Sequence, residues 1–578
     1  MNKYLKRRII PLFFFLSIFI IAFFIFIANN NKDIVNNNFN GFKNGTDINM
    51  DEVINGTVTA NLTRKIFPPM VRINPLIEKQ GSWIEGPYWQ HLPPLYLYTP
   101  LPFINLFNNG IPSPNIIRMS YITIMFFACI IFIMAVYFWE GTILSLLGAT
   151  TTLILFISTK FTQQLMLGYV FNNSDIVLFF SIICSFFALG WYLYKEKKDR
   201  LNYSLLKISI ISIIVTLPIV VKTLLGAMPL ATFIFLIIKD RKSIFNKQII
   251  LAVLIPILLL IIFYLPFYFS SPDTFIKEIM LPINHISGNN ELFRFPFWHY
   301  YFTKILPNNY LGYSTIPYYF GLILSIYFFY KTKLSRKTKN ILFLSIIWFI
   351  WNITVVSISL VKNPNFIFQT YIFSLFFIVY SFLLFINEYI KNYKNIELFN
   401  KFKNSLILKI IFYFVFITAI VYSTKTIINI NKQIKQPQET IDQYDERFWN
   451  FSEIMKDKAV NSKDIIILYS TYFDEFAFKY YLIFNTGAES DSFERISNGD
   501  LSEFNLKKKY NNVYIVLKNS IIDTSTLKTP HETDNIGDFS LITIKSEDIS
   551  ESFKDDLVGF INTLPYKVNL KKNNYANL

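Results

Sequence analysis

The stretch that decides the fold is Arg7-Arg8-Ile9-Ile10-Pro11-Leu12-Phe13-Phe14-Phe15-Leu16-Ser17-Ile18-Phe19-Ile20-Ile21-Ala22-Phe23-Phe24-Ile25-Phe26-Ile27-Ala28. Residues 9–28 are apolar except for Pro11 and Ser17, long enough for the roughly 30 Å of hydrocarbon that a spanning helix crosses. The run exceeds the ~7–15 apolar residues of a cleaved signal, and no small-residue cleavage pattern follows, so it reads as a retained anchor. Runs of the same kind recur near 119–138, 142–159, 174–194, 204–221, 223–238, 248–269, 315–330, 341–360, 366–387 and 406–423. The pattern predicts a polytopic α-helical membrane protein with about eleven transmembrane helices.

Composition agrees: 53% hydrophobic residues, 18% aromatic and 62 Phe lie far outside the usage of a soluble domain. The net charge of +16 would suit a nucleic-acid partner, but its distribution points elsewhere. Lys195, Lys197, Lys198 and Arg200 form one basic cluster, and Lys239, Arg241 and Lys242 another. Two more lie at 331–339 and 391–403. With the amino terminus cytoplasmic and the helices threaded in order, every cluster falls inside, as the positive-inside rule requires. No nucleic acid is therefore expected. Outside lie 29–118, the 160–173 turn, the 270–314 loop and everything after about 425. Cys129 and Cys184 both sit within spans, where packing is their expected role and no disulfide framework or metal motif is offered.

The chain divides into a membrane module, 1–424, and an extracytoplasmic α/β domain, 425–578. In the second part Ile465-Ile466-Ile467-Leu468-Tyr469, residues 513–517 and residues 539–544 read as strands, with a helix expected at 476–484. Asp474-Glu475 there reads as an ordinary acidic helix start. No internal repeat is visible.

Outer loops of ~90 and ~45 residues are unusually long for connectors, so chemistry is expected in them. In the first, Asp51-Glu52 precedes Ile54, Val58, Leu62 and Ile66, spaced by four, which predicts an amphipathic helix lying on the membrane surface with the acids at its start. Acids at a helix amino terminus also satisfy the macrodipole, so this pair alone does not identify a site.

The next segment runs through Trp83, Glu85, Tyr88, Gln90 and His91 to Pro93-Pro94-Leu95-Tyr96, and Arg118 opens the following span. An early acidic pair, a tryptophan, a Pro-Pro-Leu-Tyr motif and an arginine, in that order, resemble the first outer loop of GT-C membrane glycosyltransferases of the protein-mannosyltransferase and aminoarabinose-transferase superfamily. Further on, Asn173-Ser174-Asp175 resembles the family's second acidic site, and Lys222 with Gly226 and Pro229 resembles its Lys-Gly-x-x-Pro helix break. Lys362 resembles a lysine preceding a Tyr-x-x-Pro-like helix, with Phe366 or Phe368 at the tyrosine position.

The resemblance covers most of residues 1–390 and implies a sugar donor carried on a polyprenyl phosphate within the bilayer, so no nucleotide cofactor is expected. An acceptor hydroxyl needs a base, and general-base help is typically worth ~10²–10⁴-fold. The resemblance assigns catalysis to Asp51, Glu52 and Asp175, with Asp51 as the base. Cations aimed at the departing phosphate would stabilise the transition state more than the ground state. The candidates are His91, Arg294, His299 and Lys362, with Tyr88 beside them; His299 and Arg294 belong to an aromatic stretch, 293–301, that also suits an ordinary interfacial belt. A divalent metal ion (Mg, Mn or Zn) on Asp51, Asp175 and Glu85 is a further expectation, although Gln90 stands where the aminoarabinose branch has a metal-binding glutamate, leaving Glu78 or Glu85 to substitute. Lys222 at membrane depth requires a wet cavity, a partner, or a path to the surface.

The expected activity is transfer of one sugar, with inversion, from the lipid-linked donor to a surface glycan, lipid or protein at the outer face. A transporter or lipid-linked glycan flippase is the alternative, weakened by the missing repeats, and an inactive surface-assembly scaffold is a third. Asn44, Asn55, Asn61, Asn172 and Asn450 begin outward-facing glycosylation sequons, which an Asn-rich chain also produces by chance.

Overall fold

The computed structural model describes residues 3–30, 50–63, 95–110, 112, 114–159, 161–162, 173–194, 200, 203–222, 225–241, 246–270, 272, 275–276, 299–331, 334–358, 365–393, 455, 465–469, 493–495, 512–518, 524–536, 539–550 and 552–563. Helix α1 (Lys3–Asn30) is followed by α2 (Met50–Leu62), α3 (Leu95–Tyr98), α4 (Leu101–Asn108), α5 (Pro114–Glu140), α6 (Ile143–Ile157) and α7 (Asn173–Tyr194). Then come α8 (Leu205–Thr216), α9 (Ala227–Arg241), α10 (Lys247–Ser270), a π-helical segment (Tyr301–Leu311), α11 (Thr315–Lys331), α12 (Arg336–Ile358) and α13 (Asn365–Tyr393). Ten of the eleven apolar runs coincide with helices. The eleventh, 406–423, lies outside the described residues. Among the described residues five helices are long and apolar enough to cross a membrane, and the chain is a multi-pass membrane protein.

The bundle core is aromatic. Phe132 of α5, Phe186 of α7 and Phe373 and Phe376 of α13 interlock, with Phe132 and Phe376 edge to face at 5.5 Å and Trp348 of α12 edge to face on Phe373 at 5.2 Å. Such geometry adds to area burial because ring edges meet ring faces. Close helix approach needs small residues opposite large rings: a Cβ at Gly190 would meet the Trp139 ring at 2.8 Å. Helix α6 starts on Thr142, whose hydroxyl accepts from the Ser145 amide, and α8 starts on Ser204 in the same way.

Helix α8 stops at Thr216 rather than continuing to 221, because Pro218 cannot donate to the helical ladder and restricts the residue before it. Tight turns follow over residues 217–222, and α9 begins at Ala227. Helix α2 also departs from expectation: it ends at Leu62, and Asn55, Val58, Thr59, Ala60, Asn61 and Leu62 are all buried. It is an internal helix covered by α3, its small and polar residues suited to burial on several faces; it does not lie on the membrane surface. An exposed apolar edge belongs instead to α4, where Leu106 and Phe107 are 77% and 72% exposed.

The carboxyl-terminal region forms a mixed five-stranded sheet from β1 (Ile465–Tyr469), β2 (Phe493–Arg495), β3 (Asn512–Lys518), β4 (Glu532–Ile536) and β5 (Phe539–Lys545), in the order β2-β1-β3-β5-β4. Strand β1 runs parallel to β2 and β3, while β5 runs antiparallel to β3 and β4. Helix α14 (Phe553–Thr563) follows. The three expected strands are present, and β2 and β4 are additions: one is too short and the other too polar for periodicity to reveal. The helix expected at 476–484, with Asp474 and Glu475, lies outside the described residues.

Candidate functional site

Three acids of the sequence reading stand at the starts of two helices. Asp51 and Glu52 occupy the first turn of α2, and Asp175 the first turn of α7. Helix α3 packs against both α2 and α7, so Leu95 and Tyr96, the last two residues of the Pro-Pro-Leu-Tyr motif, lie in the wall that joins them. The Tyr96 hydroxyl donates to Asn55 Oδ1 at 2.9 Å, the Tyr121 hydroxyl of α5 donates to the Tyr96 carbonyl at 3.0 Å, and the Thr59 hydroxyl donates to the Leu97 carbonyl at 3.4 Å. Arg118, one turn before Tyr121, is buried.

Asp175 is fully buried, and its Oδ1 receives the Lys222 ammonium at 2.5 Å. The lysine side chain keeps 11% of its surface, the carboxylate none. The partner that Lys222 needs at this depth is therefore Asp175, and the side chain does not run to the surface. Its loop is tight: Lys222 N–H donates to the Pro218 carbonyl at 2.9 Å and Gly226 N–H to the Lys222 carbonyl at 2.7 Å. A Cβ at Gly226 would meet the Pro218 oxygen at 2.1 Å, so this close approach admits only glycine.

Tyr310, at the end of the π-helical segment, is the next group. Burial, followed by the nearby Asp175 charge, pushes its phenol well above the ordinary range. Its ring lies 4.8 Å from those of Phe161 and Tyr371. Phe368 joins this layer, 5.5 Å from Phe179, and Phe156 stacks on Phe179 at 5.2 Å. The Asp175–Lys222 pair thus adjoins an aromatic layer from α6, α7, α13 and the π-helical segment, and low local polarity strengthens the pairing. π-Helical turns are rare and concentrate at functional sites.

The other end of α7 carries a separate ion pair. Arg200 Nε reaches Asp240 Oδ2 at 2.7 Å, a second guanidinium nitrogen reaches Oδ1 at 2.9 Å, and the Tyr192 hydroxyl donates to Oδ2 at 2.9 Å. Arg200, one of the basic residues read as a topology signal, is buried in this clamp.

His299 is exposed at the start of the π-helical segment, where its carbonyl accepts from the amides of Phe302 and Thr303 at 3.0 Å each. The side chains of Asp51 and Glu52, and all of Glu78, Trp83, Glu85, Tyr88, Gln90, His91, Arg294 and Lys362, lie outside the described residues. Among the described residues no three His, Cys, Asp or Glu side chains converge on a metal site. Cys129 is buried, Cys184 half-buried, and both are free thiols. Two sequon asparagines, Asn55 and Asn61, are buried in α2, and Asn55 is engaged by Tyr96, so neither is presented to a glycosylating enzyme. Asn44, Asn172 and Asn450 lie outside the described residues. Sequence reasoning missed Asn55, Thr59 and Tyr310. The i, i+4 spacing of Asn55 and Thr59 was a usable signal for two of them.

No protein-family model and no curated protein sequence matches the chain. Its fold does match solved structures. ArnT from Cupriavidus metallidurans bound to undecaprenyl phosphate superposes with a TM-score of 0.52 at 11% identity, covering 93% of this chain and 98% of that one. The archaeal oligosaccharyltransferase AglB from Archaeoglobus fulgidus, in complex with an inhibitory peptide and a dolichol-phosphate, gives 0.51 at 14% identity over 87% of this chain and 69% of that one. At such identities the likeness is one of fold. The chain has the GT-C fold that ArnT and AglB share.

Proposed function

We propose that the chain is a glycosyltransferase that moves a sugar from a polyprenyl-phosphate donor to a cell-surface glycan, lipid or protein. In this reading the amino terminus is cytoplasmic, and the Asp175 end of the bundle and the carboxyl-terminal sheet face outward. The carrying observation is the buried Asp175–Lys222 pair at the start of α7, a helix joined through α3 to α2, whose first turn holds Asp51. The likeness to folds solved with undecaprenyl phosphate and dolichol-phosphate supports a lipid-linked donor.

Asp51 accepts the proton of the acceptor hydroxyl as it attacks the anomeric carbon, and the lipid phosphate leaves from the opposite face with inversion. Asp175, neutralised by an ammonium at 2.5 Å, is a poor proton acceptor; it holds Lys222 in place. The lysine, whose side chain keeps 11% of its surface, supplies positive charge toward the departing phosphate. His91, Arg294 and Lys362 are further cations for it, with Tyr88 on the substrate. Glu52 supports Asp51. A divalent metal on Asp51 and Glu85 is compatible with this reading, whereas the Lys222 ammonium weighs against Asp175 as a ligand.

Membranes carrying Asp51→Asn or Asp175→Asn, assayed for transfer of labelled sugar from lipid-linked donor, test the assignment. Loss in both is expected, and undiminished transfer in both would refute it.

A further inference from the structure

In α2, positions 51, 55 and 59 recur every four residues and lie on one helix face. Two of them are tied to α3, Asn55 by the Tyr96 hydroxyl at 2.9 Å and Thr59 by the Leu97 carbonyl at 3.4 Å. Helix α3 is itself fixed from a third side, because the Tyr121 hydroxyl of α5 holds the Tyr96 carbonyl at 3.0 Å. Tyr96 and Asn55 are 0% and 5% exposed, so their hydrogen bond lies inside the protein. An isolated helix as short as α2 is marginal in water and takes its position from tertiary contacts. Asparagine and threonine are also mediocre helix formers, so their place in its middle favours packing partners over local stability.

We infer that the Tyr96–Asn55 hydrogen bond is the pin that sets the rotation and height of α2, and with them the place of Asp51 relative to the Asp175 end of α7. Tyr96 and Asn55 are positioning residues that act through Asp51. The inference rests on the proposed role of Asp51 and adds two residues to it. Displacing a base by about 1 Å can cost on the order of 100-fold in rate while leaving substrate binding intact.

The test uses the full-length chain in membrane vesicles, with polyprenyl-phosphate sugars extracted from the producing cells and radiolabelled in the sugar. For Tyr96→Phe we expect kcat to fall roughly 10- to 100-fold, with the KM for the lipid donor within about twofold of wild type and a lowered thermal midpoint. The double variant Asn55→Leu/Tyr96→Phe removes both polar partners, which restores stability because no buried acceptor is left unsatisfied. Its kcat stays low if the bond is a pin. A kcat that recovers together with the thermal midpoint shows plain packing and overturns the inference. Wild-type turnover by Tyr96→Phe beside an inactive Asp51→Asn overturns the pin alone, whereas full turnover by Asp51→Asn overturns the reading of α2 and the pin with it. If Tyr96→Phe does not accumulate, the double variant carries the comparison.

Discussion

Lys222 Nζ and Asp175 Oδ1 meet at 2.5 Å although 47 positions separate them, one residue in a helix break and the other in a first helical turn. Neither would be stable at this depth alone. Breaking a buried ion pair by removing one partner typically costs ~3–5 kcal/mol because the other charge is left uncompensated. Asp175→Asn and Lys222→Met should each destabilise the detergent-purified protein by that order, read as a lowered thermal midpoint. Asp175→Asn/Lys222→Met should regain most of it while remaining inactive in sugar transfer. Additive losses in the double variant would show that the two side chains do not act as a pair.

Gly226→Ala tests the loop that delivers the lysine. The new methyl would sit 2.1 Å from the Pro218 oxygen and 2.6 Å from the Ile219 nitrogen, both backbone atoms that cannot swing aside. The Pro218–Gly226 turn must open, and Lys222 moves with it. Transfer should fall at least as far as in Lys222→Met, and hydrogen exchange should rise at the Lys222 and Gly226 amides, whose bonds to Pro218 and Lys222 are 2.9 and 2.7 Å. Unchanged exchange would mean that the turn absorbs the methyl.

How far the sequence carried depends on which force sets each element. Long apolar runs declared the helices, because hydrocarbon tolerates little else. Lys222 was visibly anomalous within such a run, yet its partner was not, since pairing across 47 positions leaves no periodic trace. The four-residue spacing of Ile54, Val58, Leu62 and Ile66 pointed to a surface helix, but the intervening Asn55 and Thr59 bond to α3 and draw α2 inward. In the sequence Arg200 reads as one more basic loop residue, whereas in the fold Asp240 and Tyr192 surround it. Tyr310 gave no signal, because its place beside Asp175 comes from the π-helical segment.

The Arg200–Asp240 clamp depends on fork geometry. Two parallel bonds of 2.7 and 2.9 Å match a planar guanidinium to a carboxylate, and an ammonium cannot reproduce both. Arg200→Lys should therefore destabilise nearly as much as Arg200→Met, by ~3–5 kcal/mol. Transfer measured below the unfolding temperature should be untouched, since the clamp lies at the end of α7 remote from Asp175. Full rescue of the thermal midpoint by lysine would contradict the fork argument.

In the carboxyl-terminal sheet region, Asp556 of α14 accepts from the Lys528 amide at 3.0 Å, from the Thr529 amide at 2.6 Å and from the Thr529 hydroxyl at 2.6 Å. Partial burial pulls its carboxyl upward, but these donors prevail and hold it below the ordinary carboxylate range. A carboxylate whose folded pKa is depressed contributes stability that is complete above its unfolded pKa and is lost as pH falls through the folded value. Hydrogen exchange at the Lys528 and Thr529 amides should therefore accelerate as pH is lowered from 5 toward 3, about the range where carboxylates protonate, after correction for intrinsic exchange. In Asp556→Asn exchange at both amides should be faster at neutral pH, and the acid-dependent step should be absent. An identical acid profile in the variant would assign that step to another carboxylate.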